Sequence, residues 1–229
     1  MKFLSYLTFI CTFSFLSFNI FSQNTIWIIG DSTVSSFNDD YYYPRYGWGT
    51  QMQNFIDVNK YEVKNIALSG RSSKSYVLEK EYKYFIENMK KGDYLFLGFG
   101  HNDEKYEKER YTNPNGDYKA LGSLANSLYE NYISKANLKG VSTILYTPIV
   151  RRTSDNWTDE ELHITKNSGE FEGGDYRKSI LDLGKTLNIP VIDLTSLTKN
   201  LYDNLGVNET KYLHAWTSSN PSSIDNTHT

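Results

Sequence analysis

The sequence predicts an α/β fold: a central parallel sheet of about five strands, covered on both faces by helices in a three-layer α/β/α sandwich. Three observations carry this expectation. Short apolar runs alternate with longer segments whose apolar residues recur at helical spacing, and strand–helix alternation is the pattern of a parallel sheet with crossover helices. A chain of 229 residues with 39% apolar residues suits one domain with a sizeable core. Finally, no internal repeat, low-complexity tract or linker divides it.

The elements follow in order. Residues 25–30 form the first strand candidate, and Trp48, Met52, Phe55 and Ile56 then share a helix face. Residues 61–68 are the second strand, followed by a stripe of Leu78, Tyr82, Phe85, Ile86 and Met89. The third strand, 93–99, reads DYLFLGF and precedes Leu121, Leu124, Leu128 and Tyr132. The fourth, 142–146, reads STILY and precedes Tyr176, Ile180, Leu183 and Leu187. The fifth, 190–194, leads into Leu194, Leu197, Leu201 and Leu205. These stripes are expected to be core, because an apolar helix face buries itself against a sheet. The irregular stretches are 37–47, 104–116, 151–174 and 206–229, and loops this long inside a compact domain are often functional.

Residues 1–23 read as a secretory signal peptide. Lys2 precedes an apolar run over 3–22, small polar residues stand near Ser22, and no acidic residue occurs before Asp31. A run this long also has the length of a membrane anchor, but it is rich in Phe and Ser and no basic stop follows it. The expectation is export and cleavage, leaving residues 24–229 as a secreted domain without stable membrane association. Cys11, the single cysteine, falls in the leader, so the mature chain has no disulfide and no thiolate metal site. With a net charge of −3 and no long Lys/Arg block, nucleic acid is not an expected partner.

In a parallel sheet, ligands bind beyond the carboxyl ends of the strands. Gly30-Asp31-Ser32-Thr33 follows the first strand, Ser69-Gly70-Arg71-Ser72 the second, Gly100-His101-Asn102-Asp103 the third and Thr147-Pro148 the fourth. Asp225-Asn226-Thr227-His228 stands near the C-terminus. Together these pieces suit acyl transfer. A serine hydroxyl needs a base and the base an orienting partner, roles open to Ser32, His228 and Asp225. The oxyanion needs preorganised donors, which the N–H groups of Ser32 and Gly70 and the Asn102 amide supply. Singly, each signal is weak: Gly-Asp-Ser-Thr and Asp-x-x-His are ordinary turn chemistry, and Asn-Asp is an ordinary helix start. His101, His163 and His214 have no metal-ligand spacing.

The four blocks GDST, NIALSGRSSKSY, FGHND and DNTH, in this order, resemble those of the SGNH (GDSL-type) hydrolases. SGRSSKSY, LGFGHND, YTPIVRRTSDNW and GGDYRKSI narrow the resemblance to rhamnogalacturonan acetylesterases. It covers nearly all of the expected mature chain. The resemblance implies a flavodoxin-like SGNH hydrolase fold, Ser32 as nucleophile, Asp225 and His228 as the rest of the triad, and Ser32, Gly70 and Asn102 as the oxyanion hole. It implies neither metal nor organic cofactor. Members usually carry a further helix after the Asp-x-x-His block, whereas this sequence ends at Thr229. No G-x-S-x-G elbow occurs, which argues against an ordinary α/β-hydrolase.

The substrate implied is an acetylated plant polysaccharide, pectin in particular. Broader esterase action on acetylated xylan or small acyl esters, and a non-catalytic carbohydrate-binding role, stand as alternatives. Trp157 is the leading candidate for a sugar contact, among loop aromatics that include Tyr41, Tyr42, Tyr43, Tyr46, Trp48 and Trp216. Arg151 and Arg152, at the end of TPIVRR, are candidates to pair with a galacturonate carboxylate. The competing reading is a surface ion pair with Asp155, Asp159 or Glu160.

Overall fold

The computed structural model describes residues 23–36, 46–152 and 157–214. Five strands form one sheet: β1 (Asn24–Ile29), β2 (Tyr61–Asn65), β3 (Tyr94–Leu97), β4 (Ser142–Tyr146) and β5 (Val191–Ile192). Their order is β2-β1-β3-β4-β5 and every pairing is parallel. Helix α1 (Lys80–Asn88) precedes β3, and α2 (Leu124–Leu128) runs through a π-helical turn (Tyr129–Ile133) into α3 (Ser134–Leu138) before β4. Helix α4 (Tyr176–Leu187) precedes β5, and α5 (Leu194–Thr210) follows it.

Side-chain alternation divides the core into two layers. Trp27 and Ile29 of β1, with Leu95 and Leu97 of β3, join Phe85 of α1, Leu128 of α2 and Ile180 of α4. Ile26, Ile28 and Phe96 face the other way, against Val34 and Tyr146, with Trp48, Met52 and Leu194 packed around them. Covering on both faces explains why these strands are apolar at successive positions. The buried Asp93 carboxylate clamps the strand starts together. It accepts from the Thr25 amide at 2.8 Å, the Trp27 indole at 3.0 Å and the Lys90 amide at 3.0 Å.

Local chemistry sets the helix ends. Ser123, Asp175 and Asp193 cap α2, α4 and α5 by accepting from the amides of Asn126, Lys178 and Ser196. Asn188 ends α4 in the left-handed region at φ +53°. Arg177 of α4 grips Asp193 through both carboxylate oxygens, at 2.9 and 2.5 Å. Burial pushes the Asp193 carboxyl up, but hydrogen bonds from Arg177 and Ser196 outweigh it and hold the pKa at about 2.

Three expected features differ. The helix face expected from Trp48 to Ile56 is instead a 3-10 helix, Trp48–Asn54, and Phe55 is exposed. Leu78 and Leu121 precede the caps of α1 and α2 and so are exposed rather than core. On α5, Leu197, Leu201 and Leu205 are exposed, while Leu194 packs on the sheet. The strand ends need small residues: a Cβ at Gly98 would lie 2.2 Å from the Tyr146 ring, and one at Gly30 2.2 Å from the Tyr146 hydroxyl. That ring crosses beneath β3, and its hydroxyl donates to the Ile29 carbonyl at 2.8 Å.

Candidate active site

The strand order reverses direction at β1, so the crevice beyond the carboxyl ends of β1 and β3 is the topological switch point. Ser32 leaves β1, Gly70 follows β2 and Asn102 follows β3, three strands adjacent in the sheet. The Leu68 amide donates to the Gly30 carbonyl at 3.1 Å, and the Gly98 amide to that of Ile29 at 3.2 Å. The three loops therefore leave the sheet side by side.

Ser32 is 8% exposed, and it is Asp31 that makes the turn. The Asp31 carbonyl accepts from the amides of Val34 and Ser35, and its Oδ1 from the amide and hydroxyl of Thr33 at 3.0 and 2.7 Å. Among the described residues, the Ser32 hydroxyl and amide donate to nothing. The turn thus uses Asp31 and leaves the serine side chain without a structural task.

Gly70 has φ +75°, in the region that favours glycine, while a Cβ there would meet nothing within 4 Å. Backbone conformation, not crowding, asks for glycine. Its amide has no acceptor among the described residues. Asn102 is 7% exposed and held at both ends of its amide. Nδ2 donates to the Arg71 carbonyl at 3.0 Å, beside Gly70, and Oδ1 accepts from Arg110 Nη1 at 3.1 Å. Because a guanidinium only donates and a carbonyl only accepts, these partners fix the amide's orientation. One Asn102 N–H remains without an acceptor. The strand ends therefore present three unused N–H donors and one unused hydroxyl.

Buried polar contacts brace these loops. Asp103 accepts from the Ser73 amide at 3.1 Å, the Ser73 hydroxyl at 2.5 Å and the Thr112 hydroxyl at 3.0 Å, joining the loops after β2 and β3. Burial pushes its pKa up to about 7, against the pull of those hydrogen bonds, with the Asp31 charge adding to the rise. Glu104 is buried between Arg151, which ion-pairs with it, and His163, whose Nδ1 lies 3.2 Å away. Burial pushes the Glu104 carboxyl up, but His163 and then Arg151 more than offset this and hold it below the usual range.

Both arginine candidates already have partners within the protein. Arg152 is 1% exposed, bonded to the Thr210 hydroxyl at 2.9 Å and the Val207 carbonyl at 2.8 Å, so it anchors α5. Arg151 lines a cleft, but its charge is already matched by Glu104, and its Nη2 donates to the His101 carbonyl at 3.1 Å. Trp157 is half-buried, its ring 5.2 Å from that of Tyr202. Trp48 is packed against Tyr146, ring to ring at 5.1 Å, on the core side of the sheet. Asp225 and His228, like residues 1–22, Tyr41, Tyr42, Tyr43, Asp155 and Trp216, lie outside the described residues. Sequence reasoning missed Arg110, Asp103 and Glu104. The run NDEKYEKER carried a partial signal, since Glu107 and Arg110 stand three apart and pair at 2.6 Å.

Comparison with known proteins adds four findings. The model of the family described as GDSL-like lipase/acylhydrolase matches residues 26–229. The rhamnogalacturonan acetylesterase RhgT of Bacillus subtilis strain 168 is 33% identical over 211 residues, covering 89% of this chain and 81% of that protein. The probable rhamnogalacturonan acetylesterase YesY of the same organism is 34% identical over 134 residues, 58% of this chain and 57% of YesY. Among solved structures, Bacillus subtilis YxiM superimposes with a TM-score of 0.67 at 25% identity, over 90% of this chain and 51% of that one. This chain thus spans about half the length of YxiM.

Proposed function

Since the chain belongs to the GDSL-like lipase/acylhydrolase family, and is an esterase by that membership, we propose that it removes acetyl groups from pectin, rhamnogalacturonan above all. We propose further that residues 1–23 direct its export to where that polymer is met. The observation that carries the esterase chemistry is the set of unused donors around Ser32 at the switch point. The names of RhgT and YesY support the choice of substrate.

In the proposed mechanism, Ser32 Oγ attacks the acetyl carbonyl as its proton passes to His228, which Asp225 orients. The carbonyl oxygen becomes an oxyanion facing the amides of Ser32 and Gly70 and the free N–H of Asn102. Collapse breaks the ester bond, His228 returns the proton to the departing sugar oxygen, and an acetyl-serine remains. Water, deprotonated by His228, attacks that ester next and frees acetate. Arg110 acts at one remove, as a positioning residue for the Asn102 amide.

The deciding experiment measures acetate release from acetylated rhamnogalacturonan, acetylated xylan and p-nitrophenyl acetate. Selective release from rhamnogalacturonan is expected; equal release from xylan points to a broader esterase, and none from any ester by folded protein rejects the proposal. A second expectation concerns the oxyanion. Asn102→Ala should lower kcat by ~10²–10³, or ~2.7–4 kcal/mol of transition-state stabilisation, with little change in KM. A loss seen in KM alone would assign Asn102 to substrate binding instead.

A further inference from the structure

In the proposed oxyanion hole Gly70 offers a backbone amide, yet nothing at its own position holds that amide still. It has no side chain, a Cβ there would meet nothing within 4 Å, and its φ of +75° is one that glycine enters and leaves readily. Ordering such a residue costs conformational entropy, which its neighbours must offset. Before it, the sheet fixes the chain, where the Leu68 amide meets the Gly30 carbonyl at 3.1 Å. After it, the buried Ser73 is tied to Asp103 through its amide at 3.1 Å. Among the described residues, the one hydrogen bond that reaches Ser69 or Gly70 comes from Arg71.

That bond controls where the Gly70 amide points. Arg71 Nη1 curls back over Gly70 and donates to the Ser69 carbonyl at 3.3 Å. The Ser69 carbonyl and the Gly70 N–H belong to one planar peptide unit, in which the two bonds point in opposite directions. A donor that fixes the carbonyl therefore aims the amide. The guanidinium is itself held by Glu79, the N-cap residue of α1, whose Oε1 accepts from Arg71 Nε at 2.5 Å. The main chain of Arg71 serves the hole a second time, because its carbonyl accepts one N–H of Asn102 at 3.0 Å.

The Arg71 side chain is 40% exposed and that of Glu79 27%, and an ion pair so placed contributes little to folding. Its effect is expected in the site and not in the stability of the fold. We propose that Arg71, held by Glu79, is a positioning residue of the oxyanion hole: its guanidinium aims the Gly70 amide through the Ser69 carbonyl, and its own carbonyl sets the Asn102 amide. The inference rests on the reading of the chain as a serine esterase, and it gives SGRSSKSY a task beyond its glycine.

The test compares the full chain with Arg71→Met, Glu79→Ala, the double variant and Arg71→Lys. Glu79 makes no side-chain cap bond, so its removal leaves the start of α1 as it is. kcat and KM are measured on p-nitrophenyl acetate, which offers a guanidinium no anion to pair with, and the order parameter of the Gly70 amide by NMR relaxation. Each of the first three variants is expected to lose about 10- to 100-fold in kcat, since a misaimed donor forfeits part of what a deleted one does, with KM near that of the wild type. The double variant should be no worse than either single one, because both remove the same clamp. Arg71→Lys, which keeps the charge but not the fork, should fall between Arg71→Met and the wild type. The Gly70 order parameter should drop from about 0.85 to below about 0.6 in the first three, while Tm moves by no more than about 4 °C.

A loss in KM alone would make Arg71 a substrate contact, an unchanged kcat in Glu79→Ala would remove the clamp, and a larger fall in Tm would make the pair a support of the fold. Each of these overturns the proposal, as does undiminished Gly70 order in both single variants. If the wild type hydrolyses no ester, the esterase reading fails, and the order parameters by themselves decide whether Arg71 aims the Gly70 amide.

Discussion

Ser32→Ala is expected to lower acetate release by on the order of 10⁴- to 10⁶-fold, because removing a serine nucleophile disables attack while binding survives. The fall belongs in kcat, with KM close to that of the wild type. Thermal stability should barely change, since the Ser32 hydroxyl donates to no described group and its loss orphans no buried partner. Asp31, which makes the turn, remains in place. A serine-directed phosphonate gives an independent reading: it should label the wild type once and Ser32→Ala not at all. Retention of a tenth of wild-type activity by the variant, or undiminished labelling, would remove Ser32 from the nucleophile's role. A large drop in melting temperature would instead assign the hydroxyl a structural task.

The second large effect is on stability. Glu104→Gln should destabilise the fold by roughly 3–5 kcal/mol, the cost typical of breaking a buried ion pair from one side. For a chain of this size that is a fall in Tm of about 6–20 °C. The Glu104 carboxylate faces Arg151 and His163 Nδ1 at once, and a glutamine removes the charge that matches Arg151. The uncompensated Arg151 then stays buried beside the His101 carbonyl, next to Asn102. The pH dependence has a definite sign. The folded Glu104 carboxyl sits below its unfolded pKa, so its contribution is present above the unfolded value and fades as pH falls through the folded one. The Tm gap between wild type and Glu104→Gln should therefore narrow in acid. A gap that is absent at neutral pH, or that widens on acidification, contradicts this account.

Much of the fold was legible because its causes are local. The strand over 142–146 coincides with β4, and the stripe from Tyr176 to Leu187 coincides with α4. Caps and turn residues act within about four positions of themselves, as Asp175 and Asn188 do at the two ends of α4. Periodicity misled where the cap lay later than the first apolar residue, as at Leu121 before Ser123. It misled again on α5, where a helical stripe does not guarantee a covering partner for Leu197 and Leu201.

By itself, then, the sequence determined the sheet architecture and the order in which Ser32, Gly70 and Asn102 follow successive strands, because both are written in short-range patterns of apolarity and turn chemistry. Only the tertiary structure decided which charges are already matched. Arg151 looks free in TPIVRR, yet its carboxylate comes from Glu104 and its carbonyl from His101, both on a loop far away in the chain. Lys105 sits among acids in NDEKYEKER, yet the fold gives Glu104 to Arg151 and Glu107 to Arg110 and leaves the lysine facing the cleft. An ion pair falls off with distance in space and not along the chain, so the residues available to a substrate are known only once every other charge has found its partner.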